Sequence, residues 1–190
     1  MKRVIVMVLA GAALVAAAAA VSGGDAESTV PLGLPPVPIP EDNPQTPAKI
    51  ALGDKLYHET RFSTDGEVWC FTCHDPEKAF TDSPLKTSEG IDKLTGTRNS
   101  PTVINSAYFT TQFWDGRSPD LEDQALHPFT NPVEHGLASH EPILEIVRAD
   151  PEYKAAFEEV FGKTGEDITM REVTMAIASF ERTVVSGNSP

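Results

Sequence analysis

The sequence predicts an all-α domain whose helices are joined by long irregular loops. Three observations lead there. Apolar residues recur at helical spacing in successive segments, most of them opened by a capping residue or a proline. Strand signals are weak, with Thr102 to Asn105 as the single short candidate. The chain's 2 cysteines stand three apart with a histidine directly after them, in Cys70-Phe71-Thr72-Cys73-His74. A covalently held group at that motif can supply the core on which long loops pack.

In chain order, Lys2 and Arg3 precede an apolar, alanine-rich run from Val4 to Val21, and small residues around Ala18 to Gly24 offer a cleavage site. Residues 1–24 therefore read as a signal peptide of an exported protein, with an uncleaved anchor as the alternative. Pro31, Pro35, Pro36, Pro38, Pro40 and Pro44 make residues 25–45 an extended linker, or a strap laid over the domain. The domain proper is predicted over residues 46–190. Thr46 is placed to cap a helix with Pro47 at its first position, and Ile50, Leu52, Leu56 and Tyr57 follow at helical spacing. Ser118 and Pro119 are expected to open a short helix through Leu126. Pro142 opens the next, with Ile143, Leu144, Ile146 and Val147. Asp150-Pro151 starts another, which turns Tyr153, Phe157 and Phe161 inward and stops at Gly162. Thr169 and Glu172 form a capping box for the last helix, whose stripe is Val173, Ile177, Phe180 and Val184 and whose end is expected at Gly187. Asp75 to Phe113 and His127 to Ser139 are expected to be irregular, and loops of that length are usually functional.

The formal net charge of -13 disfavours nucleic acid and anionic membrane surfaces as partners. It is compatible with plain solubility or with an encounter with a basic electron carrier.

Cys70, Cys73 and His74 have the spacing of a c-type haem attachment site. Each thiol can form a thioether to one vinyl group, and His74 then lies beneath the iron as its proximal ligand. Trp69-Cys70-Phe71-Thr72-Cys73 also has the form of a thioredoxin-type centre, but Arg61 to Glu67 before it is polar and turn-like where a buried strand is required. A zinc site lacks a second cysteine pair, and a disulfide would close a very short loop. Haem is the preferred reading, and with it a cytochrome c-like fold.

The second axial position separates two functions. An electron carrier fills it, often with methionine, and past the motif only Met170 and Met175 are available. Packing is the simpler reading of both. His58, His127, His135 and His140 are the other candidate ligands. A peroxidase leaves the position open and lines it with acid–base groups. Glu134, in Asn131-Pro132-Val133-Glu134-His135-Gly136, is either such a group or an ordinary loop carboxylate.

Several stretches in order resemble the bacterial di-haem cytochrome c peroxidase and MauG family. They are Pro47 to Gly53, Cys70 to Ala79, Gly96-Thr97-Arg98-Asn99-Ser100-Pro101-Thr102, Gln112-Phe113-Trp114-Asp115-Gly116-Arg117, Gln124-Ala125, Asn131-Pro132-Val133-Glu134 and Phe180-Glu181-Arg182-Thr183. The resemblance implies one covalent haem c at Cys70, Cys73 and His74, which is the peroxidatic haem. It implies Glu134 as the acid–base residue, Gln124 beside it, and Trp114 on the electron path between two haems. Asn99 would ligate a calcium ion held between two domains. The implied reaction is reduction of hydrogen peroxide by electrons from a small cytochrome or cupredoxin in the periplasm, by a protein that is a homodimer in its full-length form. A MauG-like enzyme that oxidises a protein side chain, and a mono-haem electron carrier, are the alternatives.

Two departures stand out. Many family members carry an iron-ligating histidine before the G-T-R-N stretch, where this sequence has Glu89-Gly90-Ile91. The iron is then expected to be open without reductive activation, unless His135 substitutes. No second C-x-x-C-H follows, so the second haem domain is absent, and the chain is expected to be either part of a longer protein or a mono-haem protein.

Overall fold

A computed structural model describes residues 33–188 of the chain. The expected signal peptide lies outside them. The fold is helical, and among the described residues there is no extended strand, only isolated backbone bridges such as Asp75 with Thr81 and Gln112 with Ser118. No helix of the described residues is long and apolar enough to cross a membrane.

Two helices set the frame. Helix α1 spans Pro47–Tyr57. Thr46 is extended, and its hydroxyl accepts from the Lys49 N–H at 3.2 Å. The last helix, α7, spans Met170–Glu181 and begins with the expected capping box, in which Glu172 accepts from the Thr169 N–H at 2.9 Å. The two cross at Gly53. A Cβ there would overlap the Ala176 carbonyl oxygen and lie 2.9 Å from the Phe180 Cβ. Only glycine lets the backbones approach so closely.

Five further α-helices pack around this crossing. They are α2 (Cys70–Cys73), α3 (Leu121–Gln124), α4 (His127–Thr130), α5 (Glu141–Ala149) and α6 (Pro151–Phe161). Asp150 caps α6 by accepting from the Glu152 N–H at 3.0 Å, and Gly162 ends it in the left-handed region at φ 65°. Leu56, Phe62, Phe129, Ile143, Val147, Tyr153, Phe157 and Val173 are all buried in one core. Each of these side chains removes enough apolar area from water to stabilise the fold by roughly 1.5–3 kcal/mol.

Four expectations about the elements need correction. Helix α3 starts at Leu121 rather than Ser118, because the Asp120 carboxylate accepts from the Asp123 N–H at 2.7 Å while Ser118 pairs by backbone with Gln112. It stops at Gln124, and α4 restarts within a stretch expected to be irregular, with Pro128 in its first turn. Helix α7 ends at Glu181, short of Gly187; Val184 is buried all the same, and its carbonyl accepts from the Asn105 N–H at 2.9 Å. Thr102 to Asn105 forms no strand, and Asn105 adopts a left-handed φ of 64°.

The residues before α1 are tied to the domain by buried polar contacts. Asn43 is 1% exposed and donates to Glu122 Oε1 at 2.6 Å and to the Met175 carbonyl at 2.9 Å. Lys49 Nζ donates to Asn43 Oδ1 at 2.9 Å and to the Pro44 carbonyl at 2.8 Å. Arg182 completes the group with two bonds to the Glu122 carboxylate, at 2.7 and 2.8 Å. This cluster links the extended segment to α3 and α7.

Candidate haem site

Helix α2 is a single turn that, with its cap His74, brings two thiols and an imidazole together in five residues. Thr72 Oγ1 accepts from the Trp69 N–H at 3.1 Å, and the His74 N–H closes the turn on the Cys70 carbonyl at 3.0 Å. Cys70, Cys73 and His74 border one cavity of about 440 Å³, a volume in the usual range for a ligand site. Both cysteines are free thiols. Burial pushes Cys73 up to about 11 and Cys70 higher still.

His74 is held by its Nδ1, which lies 3.3 Å from the Phe80 carbonyl and 3.3 Å from Ser100 Oγ. Ser100 itself donates to the Cys73 carbonyl at 2.8 Å. Orientation through Nδ1 leaves Nε2 for a metal, the arrangement seen when an outer group fixes a ligating imidazole. Burial lowers the His74 pKa and favours the neutral, ligating form; the Phe80 carbonyl and the Asp82 charge act the other way. These residues fit a c-type haem in thiol spacing, in imidazole presentation and in the apolar wall formed by Tyr57, Val68, Phe129 and Ile177.

The cavity also gathers Gln124, Glu134, Trp114 and Asn99, each from a different segment. Asn131 Nδ2 donates to Glu134 Oε1 at 2.6 Å. Burial raises the Glu134 pKa, while the charge of Arg117 and the Asn131 bond pull it back. Glu134 is placed by a close approach at Gly90, where a Cβ would overlap the Val133 carbonyl oxygen and sit 2.8 Å from the Glu134 Cα. The Ile91 N–H donates to the Glu134 carbonyl at 3.0 Å. The segment without the family's histidine is thus the one that supports the Glu134 loop.

Trp114 is 64% exposed, and its indole N–H donates to the Asn99 carbonyl at 2.8 Å. Asn99 donates its side-chain N–H to the Leu85 carbonyl at 3.2 Å, which leaves its amide oxygen as an acceptor. Beside Trp114, Asp115 bonds Arg98 at 2.7 Å and Arg117 at 2.9 Å, and the two guanidiniums, Arg98 first, hold it at about 2. The Arg117 guanidinium lies 3.4 Å from the centre of the Phe113 ring. Among the described residues no group of three or more His, Cys, Asp or Glu side chains is arranged for a metal ion.

Of the four other candidate histidines only His135 borders the cavity, and its Nδ1 lies 2.9 Å from the Phe62 carbonyl. His58 stacks on Phe71 at 4.3 Å, His127 faces Asp123 at 3.3 Å, and His140 bonds the Leu126 carbonyl at 2.9 Å. Neither Met170 nor Met175 reaches the cavity. Sequence reasoning gave no role to Ser100, Asn131 or Glu181. All three sit inside quoted motifs; Ser100 and Glu181 reach the site only across the fold, which sequence spacing does not signal, whereas Asn131 bonds Glu134 three residues on, within one motif.

An all-α fold that opens a cavity over two thiols and a presented imidazole defines a c-type haem domain. More narrowly, the chain belongs to the di-haem cytochrome c peroxidase family, whose model matches residues 47–190. It is 42% identical over 154 residues to the methylamine utilization protein MauG of Methylorubrum extorquens, covering 81% of this chain and 43% of that one. It is 41% identical over 158 residues to the cytochrome c peroxidase Ccp of Escherichia coli, covering 82% of this chain and 33% of that one. A solved MauG-like protein associated with microbial copper homeostasis superposes with a TM-score of 0.76 at 33% identity, over 84% of this chain and 47% of that one. The chain thus spans less than half the length of these relatives.

Proposed function

We propose that residues 46–190 are the peroxide-reducing haem domain of an exported di-haem peroxidase. The observation that carries this reading is the convergence of Cys70, Cys73, His74, Gln124 and Glu134 on one cavity that no methionine of the described residues enters. A bound c-type haem supplies a redox-active iron for the reaction. Cys70 and Cys73 would hold it by thioethers, and His74 would be its iron ligand, with the ring fixed by Ser100 and the Phe80 carbonyl. Glu134, oriented by Asn131 and made more basic by burial, takes a proton from the near oxygen of hydrogen peroxide as a carboxylate and returns it to the far one. Gln124 orients the peroxide. Trp114, exposed at the cavity mouth, receives electrons from a second haem domain. Asn99 donates its free amide oxygen to a calcium ion between the two domains. A small cytochrome or cupredoxin is the electron donor, and the net charge of -13 suits a basic one. With residues 1–24 as the signal peptide, the periplasm is the compartment.

The test is Glu134→Gln in the haem-loaded chain supplied with a chemical reductant. Haem content stays normal, and peroxide cleavage slows by about 10²–10⁴, the usual contribution of a positioned acid–base group. An unchanged rate refutes the role. The likeness to MauG favours a second reading, in which the same site drives oxidation of a protein side chain. Kinetics with a small electron-donor protein separate the two. A low-spin haem inert to peroxide and cyanide would instead indicate a mono-haem carrier, with His135 as the second ligand.

A further inference from the structure

One carboxyl in the haem cavity has no part in the reaction just described. Glu181 is the last residue of α7, one turn beyond Ile177 on the same face. It borders the cavity and is 5% exposed. Its Oε2 is fully buried, with no hydrogen-bond partner among the described residues. The adjacent cation does not serve it: the Arg182 guanidinium makes both of its bonds to Glu122, at 2.7 and 2.8 Å. The charged and titratable groups around Glu181 are Arg182, which caps its helix, Glu122 on α3, Tyr57 on α1 and Cys70 on α2. Of these only Arg182 favours a carboxylate. Cys70 is a thioether once haem is attached, and Tyr57 is held neutral, chiefly by burial.

A carboxylate in such a place lacks both water and a dedicated counter-charge, which makes the charged form costly. The proton-bearing form avoids that cost. Burial accordingly pushes Glu181 up to about 8, helped by Glu122 and opposed by Arg182. Burial thus favours the protonated carboxyl on the cavity wall at neutral pH. It lies near Cys70, as does Glu134.

We propose that Glu181 is a second proton-holding residue of the cavity, which delivers one of the protons consumed when peroxide is reduced. This rests on the peroxidase reading. Reduction of one hydrogen peroxide breaks the oxygen–oxygen bond, takes two electrons from the donor protein and two protons from solvent, and releases two waters. Glu134 relocates a proton that peroxide already carries and adds none. Glu181 gives up its proton to the departing oxygen side through water in the cavity, and regains one from solvent.

The test uses the haem-loaded chain with a chemical reductant, and compares wild type, Glu181→Gln and Glu181→Asp at matched haem content and helicity. Infrared difference spectra between oxidised and reduced protein are expected to show a protonated-carboxyl band that Glu181→Gln removes and Glu134→Gln does not. Peroxide consumption in the wild type is expected to fall off above about pH 8. Glu181→Gln should be at least about tenfold slower below that pH, within the lower reach of acid–base effects, and flat through it. Glu181→Asp should restore both the band and the alkaline limb. A wild-type band and pH profile in Glu181→Gln would overturn this proposal alone. A wild-type protein that consumes no peroxide would overturn the peroxidase reading and this proposal together.

Discussion

Gly53→Ala tests the helix crossing on which the cavity is built. The new Cβ would overlap the Ala176 carbonyl oxygen, and would lie 2.7 Å from its carbon and 2.9 Å from the Phe180 Cβ. Two of these three atoms are backbone, so no rotamer change relieves the contact, and α1 must move away from α7. Overpacking of this kind costs about 1–3 kcal/mol, and a backbone clash belongs at the upper end. Alanine returns about 1 kcal/mol through its better helix propensity. The net loss is about 2 kcal/mol, which lowers Tm by about 4–8 °C in a domain of this size. Circular dichroism of the haem-loaded protein during heating and in denaturant measures it. A variant as stable as wild type, with the same denaturant slope, would show that the helices do not meet at this residue.

Other outcomes follow from the same contacts. Gly90→Ala should displace Val133 and Glu134 while leaving haem attachment intact, so that peroxide turnover falls and the absorption spectrum of the bound haem still reports full loading. Asn43→Ala strips partners from Lys49 and Glu122, and a loss of about 2–3 kcal/mol in denaturant unfolding is expected because the buried charges remain. Ser100→Ala should cost about 1 kcal/mol and loosen the His74 ring, which potentiometry reads as a shifted haem potential. Glu181 binds its proton more tightly in the folded than in the unfolded chain. Stability should therefore fall as pH rises from the ordinary glutamate range to about 8 and level off above it. Denaturant midpoints across that window should show the fall in wild type and not in Glu181→Gln.

The parts of the fold that were legible in the sequence depend on near neighbours. Thr46 before Pro47, Asp150 before Pro151 with Gly162 after the helix, and Thr169 with Glu172 all cap their own helices, and the structure forms each of them. The family and its all-α fold were legible for a related reason: short motifs in a fixed order survive in the chain itself. Element ends set by distant partners were misread. Ser118 looked like a cap until its pairing with Gln112 left that role to Asp120, and Val184 looked helical although Asn105 holds it in irregular chain.

The haem motif was determined by the sequence alone, because two thiols and an imidazole need only one turn of chain to come together. Glu134 was legible as a candidate from its motif, but its burial and its bond from Asn131 depend on how the loop folds against Gly90. Glu181 was opaque. In sequence it stands beside Arg182, within a motif that assigns it no role. Only tertiary structure turns Arg182 to Glu122, on α3, and leaves the Glu181 carboxyl buried at the cavity wall. Covalent spacing fixes what a short segment can bind. The crossing of α1 and α7 decides which distant side chains lose water together, and so which carboxyls keep their protons.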